Sequence, residues 1–361
     1  MELRHPELSP RERALREGPA PRLRAVAASL LARGGRLHDR GYRWLTSGPR
    51  SLYGLAMTRI LLGVVGLGVL LTNFGGRHYS FGTASSWNGE LAEPTSDFPR
   101  IWLFSAFRAT AESPALFTAL YLSAIVAALM VTVGLVTRPA IAVHLVLWVS
   151  LIETNDSLSD QSDNAYRIFL VLLLLTRCAD RWSLDTRLRD ARPGRTESLD
   201  WLVDTVHNLA LIALVFQVCA IYVAGGFYKL AGEAWQHGYA AYLPLQTAQF
   251  GTWPVLSELV TAWGPGVAVA TWGSILVQIY FPFLLLRRRT RAVGLVAIMT
   301  FHGSIGLLMG IPWFSLAMIA VDAVFIRDST YQALSERVGR SLRPRVETPP
   351  AARPESELID A

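Results

Sequence analysis

The sequence predicts an all-α fold, a polytopic integral membrane helical bundle of about eight transmembrane helices with both termini cytoplasmic. Three observations predict it. Apolar residues make up 52% of the 361-residue chain and charged residues only 17%, where a soluble domain carries about 25% charged residues. The apolar residues fall in runs of bilayer-spanning length, punctuated by short basic blocks. Those blocks, finally, lie asymmetrically about the runs. The net charge of +6 therefore reads as topology. A nucleic-acid partner would need a contiguous basic face interleaved with aromatics, and the sequence has none.

Taken in order, residues 1–50 show no signal-peptide core followed by a cleavage site. Within them, 22–45 mixes Arg, Leu, Ala and Trp in a helical pattern suited to an anionic cytoplasmic surface. Apolar spans follow at 52–72, 114–136, 139–153, 165–179, 203–227, 266–286, 292–309 and 311–326, so 51–327 forms the transmembrane domain. Residues 328–361, rich in Arg, Pro and Glu, read as a disordered cytoplasmic tail.

With both termini inside, the inner segments hold 28 of the 34 basic residues. Arg77, Arg100, Arg108 and Lys229 fall outside, and Arg59 and Arg167 lie within helices near their ends. The reverse orientation would place most arginines outside, against the positive-inside rule. The cell membrane is the expected location and the bilayer the first partner.

This orientation gathers several polar features on the extracytoplasmic side. They are the acidic loop 153–163 (Glu153, Asp156, Asp160, Asp163), Lys229 with the connection 231–262, and the outer half of the helix carrying His302. The connection 73–113, with Trp87, Phe98, Trp102, Phe104 and Phe107, suits an interfacial lid or re-entrant segment. Cys178 and Cys219 fall near opposite ends of their spans, so no disulfide is expected. No C-x-x-C redox or zinc spacing occurs, and no metal site is predicted.

Among 34 Lys and Arg, Lys229 is the single lysine. Arginine stays charged in proteins, whereas a lysine amine in an apolar pocket can give up its proton and act as a base. A snorkelling lysine at a membrane boundary is the simpler alternative. Gly225 and Gly226, one turn earlier, permit close approach of a helix or a flat ligand. Tyr222 and Tyr228 add hydroxyls able to position an oxygenated ligand. A base at a membrane boundary among aromatics suits a lipid-soluble quinone. His302 could orient a ligand oxygen or relay a proton, or else bond a neighbouring carbonyl. Arg167 follows Asp163 by four residues, a spacing for a local ion pair. That pair is either a clamp on the outer loop or, with the loop, a site for a carboxylate. Arg59 reads as a snorkelling or helix-packing residue.

The run Tyr222 to Leu230 (YVAGGFYKL), followed by Trp235 and Gly238-Tyr239, resembles the corresponding stretch of vitamin K-dependent gamma-carboxylases. It is similar also to their bacterial relatives, the horizontally transferred transmembrane (HTTM) domain proteins. Arg59 with Gly63, Gly134 to Arg138, Trp182 to Asp185, and Phe301-His302 with Phe314-Ser315 resemble further family motifs, in the right order. The resemblance covers about residues 50–327. It implies that Lys229 stands where the carboxylases have the proposed base that deprotonates reduced vitamin K. It implies a pocket for reduced vitamin K or another quinone, with Trp235 at its wall, and O₂ and CO₂ as co-substrates if carboxylation is retained. Two departures stand out: the chain has about 34 residues after Arg327 where carboxylases continue into a large outer domain, and Ser162 or Asp163 falls near a carboxylase histidine.

Two readings follow. One is an enzyme, a lyase or oxidoreductase that handles a reduced quinone, with Lys229 as base and His302 assisting. The other is a non-enzymatic membrane accessory for maturation, export or immunity of a small secreted peptide, its contacts lying in 73–113 and 231–262. A transporter is disfavoured, since the spans show no obvious inverted repeat and few charges at mid-membrane.

Overall fold

The computed structural model describes residues 20–84, 96–190 and 199–342, and their regular structure is helical throughout. The amphipathic N-terminal segment is α1 (Ala20–Thr46), exposed over 28–44 and half-buried at Leu45 and Thr46. Each of the eight expected apolar runs is a helix. They are α2 (Leu52–Thr72), α3 (Pro114–Val133), α4 (Thr137–Ile152), α5 (Gln161–Leu175), α6 (Asp200–Leu230), α7 (Gly264–Leu284), α8 (Arg288–Leu308) and α9 (Pro312–Asp322). Among the described residues, α2, α3, α6, α7 and α8 are long and apolar enough to cross a membrane. The others are shorter, with 16 residues in α4, 15 in α5 and 11 in α9.

Two groups of helices share the core. α2 packs against α3, α5 and α9, with α4 lying between α3 and α5; α6 pairs with α7, which leads through α8 to α9. The α5–α6 and α2–α9 contacts join the groups. Leu122, Val126 and Leu129 on α3 and Phe216 on α6 stay exposed, as apolar side chains do where lipid is the solvent.

Most helix ends fall within a few residues of expectation, and one helix is shifted along the chain for local reasons. The span expected at 165–179 starts at Gln161, because Asp160 and Asp163 form a reciprocal capping box there that satisfies orphan N–H groups. It ends at Leu175, after which the chain turns and Arg177 is held by Asp180 and Asp204. The tail expected from Asp328 opens with a helix, α10 (Asp328–Leu342). Asp328 accepts hydrogen bonds from the N–H groups of Leu52, Tyr53 and Gly54, capping α2, and the Tyr331 hydroxyl donates to Ala323 O. Residues 1–19 and 343–361, and Trp87 of the expected lid, lie outside the described residues.

Three of the sequence motifs meet in one clamp at the arginine-rich end. Arg59 is fully buried and donates to the carbonyls of Val131 (3.2 Å) and Trp182 (2.7 Å). Gly134 ends α3 at φ 70°, and a Cβ there would lie 1.9 Å from Arg59 Nη1, so both conformation and space require glycine. Asp185 accepts from Val136 N, Thr137 N and Thr137 Oγ1, capping α4 from a distant segment. Arg59 therefore packs helices together and does not snorkel.

Candidate functional site: a cavity at Lys229

The remaining two motifs meet at the opposite end of the bundle. There α6, α7, α8 and the first turn of α9 enclose a cavity of about 530 Å³. The connection 231–262 covers it with short helices at Glu233–Gln236, Tyr242–Leu245 and Pro254–Thr261. Two hydrogen bonds fasten this cover, from Trp253 Nε1 to Leu307 O (2.9 Å) and from Ala241 N to Thr271 Oγ1 (3.1 Å). Phe301, Phe314, Trp235 and aliphatic side chains supply most of the wall. This is the composition of a small-molecule pocket, an apolar lining with a few convergent polar groups.

Lys229, Gln278 and His302 are the strongest of those polar groups, beside the hydroxyls of Thr261, Ser274 and Ser304. Lys229 Nζ donates to Gln278 Oε1 at 2.8 Å and lies 5.3 Å from the Trp235 ring centre and 5.9 Å from that of Phe301. Among the described residues no carboxylate pairs with it. Its setting is an amide oxygen and two aromatic faces, which hold an amine in place without fixing its charge by an ion pair. Gly225 leaves the space beside this pair open: a Cβ there would stand 3.8 Å from Gln278 Oε1 and 4.0 Å from Lys229 Nζ. Gly226 serves packing, since a Cβ would come within 2.5 Å of Ile279 on α7.

His302 is 2% exposed, and among the described residues neither Nδ1 nor Nε2 has a hydrogen-bond partner. Buried polar atoms are nearly always satisfied, so two orphan nitrogens at a cavity wall point to a ligand or solvent between them. Behind His302, with ring centres 5.8 Å apart, stands Tyr222. Tyr222 is fully buried and donates its hydroxyl to Asp322 Oδ2 at 2.8 Å, while Asp322 Oδ1 is buried without a partner among the described residues. Tyr222 thus backs the wall and does not line the cavity.

The other expected site residues lie elsewhere. Tyr228 is 84% exposed and faces away from the cavity-lining residues. Arg167 and Asp163 belong to the far side of Phe314. Arg167 does not pair with Asp163, as the four-residue spacing predicts; it bonds Glu153 at 2.8 Å, because Asp163 is turned back to accept from Asp160 N. Sequence reading misses Gln278 and Asp322. Each is the one amide or carboxylate in an apolar helix whose other polar side chains are mainly hydroxyls, and that is the available signal.

The fold and this site define a multi-pass helical membrane protein with a covered apolar cavity holding an amine and an imidazole. The model of the HTTM domain family matches residues 49–329, and the chain belongs to that family. No curated protein and no solved structure matches the chain significantly.

Proposed function

We propose that the cavity between α6, α7 and α8 binds a reduced quinone, vitamin K or a relative, and that Lys229 is its general base. The observation that carries this reading is the placement of Lys229 Nζ on Gln278 Oε1 (2.8 Å) at the wall His302 shares. The cavity suits a flat aromatic ring with polar edges. Its volume is about 530 Å³, within the usual range for small-molecule sites, and aromatic faces and orphan nitrogens line it.

A quinol bound there would supply a weakly acidic hydroxyl and two reducing equivalents for O₂. In this reading Lys229 takes the hydroxyl proton, and its bond to Gln278 Oε1 supports a fixed direction for the amine. A neutral His302 offers one donor and one acceptor to the ligand's oxygens. The short helices of 231–262 lie over the site, and a bound ring would displace water from it, which strengthens these interactions. The arginine-rich end lies on the cytoplasmic side under the positive-inside rule, so the cavity opens toward the outer half of a cell membrane.

The test is turnover of reduced quinones by the purified protein in detergent with O₂, reading oxidised or epoxide product. Lys229→Arg removes a group able to act as the base while keeping charge and length, and loses at least about two orders of magnitude in rate, in the range typical of general-base catalysis. Unchanged turnover in the arginine variant refutes the role of Lys229. No turnover in either protein, with intact binding of a secreted peptide, favours the accessory reading.

A further inference from the structure

A second cavity of about 270 Å³ lies across the Phe314 ring from the first, and both count that residue in their walls. Asp160 and Asp163 at the start of α5 stand on one side of it, with Trp148, Tyr166, Trp313 and Phe81 among its aromatic walls. The carboxylates form the capping box: Asp163 Oδ2 accepts from Asp160 N (2.9 Å), and Asp160 Oδ1 accepts from Ser162 N (2.6 Å). A carboxylate accepts about four hydrogen bonds, so capping leaves acceptor capacity on both. The helix N-terminus offsets only about half a unit charge. Arg167, the nearby cation, is engaged by Glu153 (2.8 Å) and Asn164 (3.0 Å) and lies over the Phe98 ring. The cavity is left acidic and aromatic.

An independent feature points to a ligand. Trp148 is 2% exposed and lines this cavity, and its indole Nε1 has no hydrogen-bond partner among the described residues. A buried N–H without an acceptor is costly. A ligand with a carbonyl oxygen would satisfy it.

We infer that this cavity binds a primary ammonium group adjacent to a carbonyl, the ammonium at Asp160 and Asp163 and the carbonyl oxygen at Trp148 Nε1. The aromatic walls favour the cation as well, through their negative faces. A free carboxylate beside the ammonium would meet two like charges, which disfavours an amino acid and favours an α-amino amide. A small amino amide and the amino terminus of a peptide share this chemistry. The inference does not rest on quinone binding.

The experiment is calorimetric titration of the full chain in detergent with alaninamide, the tripeptide Ala-Ala-Ala-amide, and N-acetylated forms of both. The free amines bind saturably, and acetylation weakens binding at least tenfold, about the factor for one charge-assisted hydrogen bond. A tripeptide tighter than alaninamide identifies a peptide terminus, and equal affinity identifies a small amide; either supports the site. Asp163→Asn keeps an oxygen to accept from Asp160 N, so the helix start survives while the charge is lost, and binding falls by a similar factor. Trp148→Phe weakens the free amines several-fold. Acetylated ligands that bind as well as free ones, or no saturable binding of the amines in the millimolar range, overturn the inference. The wild-type comparison decides even if a variant fails to fold.

Discussion

At the scale of a single residue, His302 is where the proposed function parts from architecture. A histidine kept for structure normally bonds through its ring, as His207 does: it accepts from Arg177 N (2.9 Å) at Nδ1 and contacts Arg50 through Nε2. Among the described residues His302 has no hydrogen-bond partner, so replacing its ring removes no hydrogen bond to them. His302→Phe is expected to hold stability within about 1 kcal/mol while quinol turnover falls at least tenfold; thermal melting and the turnover assay read the two. A large loss of stability with unchanged turnover would show a packing residue. The residue types were legible in the sequence here, because a lone lysine and an intramembrane histidine stand out by cost. Their partners were not. Gln278, 49 residues from Lys229, and Asp322, 100 residues from Tyr222, are long-range neighbours that only helix packing defines.

Elements explain why five motifs in sequence resolve into two sites. Arg59, Gly134 and Asp185 lock α2, α3, α4 and the segment after α5 at one end. Lys229 and His302 meet at the other. Motif resemblance alone does not separate the structural set from the set proposed for chemistry, since both read as residues in order. The clamp carries a pH dependence. Burial works to raise the Asp185 carboxyl, but the hydrogen bonds from Thr137 and Val136 outweigh it and hold the group below the usual carboxylate range. A carboxyl depressed in the folded state contributes stability above its unfolded pKa and loses it as pH falls through the folded one. Melting temperature should therefore drop as the medium is acidified below the ordinary carboxylate range, and Asp185→Asn should flatten that part of the profile. Superimposable profiles for the two proteins would remove Asp185 as the titrating cap.

Across the whole molecule, helix order and most boundaries were legible because apolar runs between basic blocks leave few alternatives in a bilayer. Relative depth was not. Lys229 lies about 37 Å along a straight helix from Asp204, and His302 about 16 Å along one from Arg291, which by itself sets them at different levels. α6 is a 31-residue helix, about 46 Å long against a hydrocarbon core of about 30 Å. Its first turns extend past the core, where Arg177 meets Asp204 and Asn208 holds the carbonyls of Leu45 and Gly48. The surplus length is absorbed at the arginine-rich end, and Lys229 arrives beside Phe301 and His302. Photo-crosslinking with a quinone probe, followed by peptide mapping, tests this shared cavity most directly. Labels should concentrate on Lys229–Trp235, Gln278 and Phe301–Phe314 and be displaced by unlabelled quinone. Labels spread over the lipid-facing surfaces of α3 and α6, undisplaced by competitor, would contradict a quinone site at Lys229.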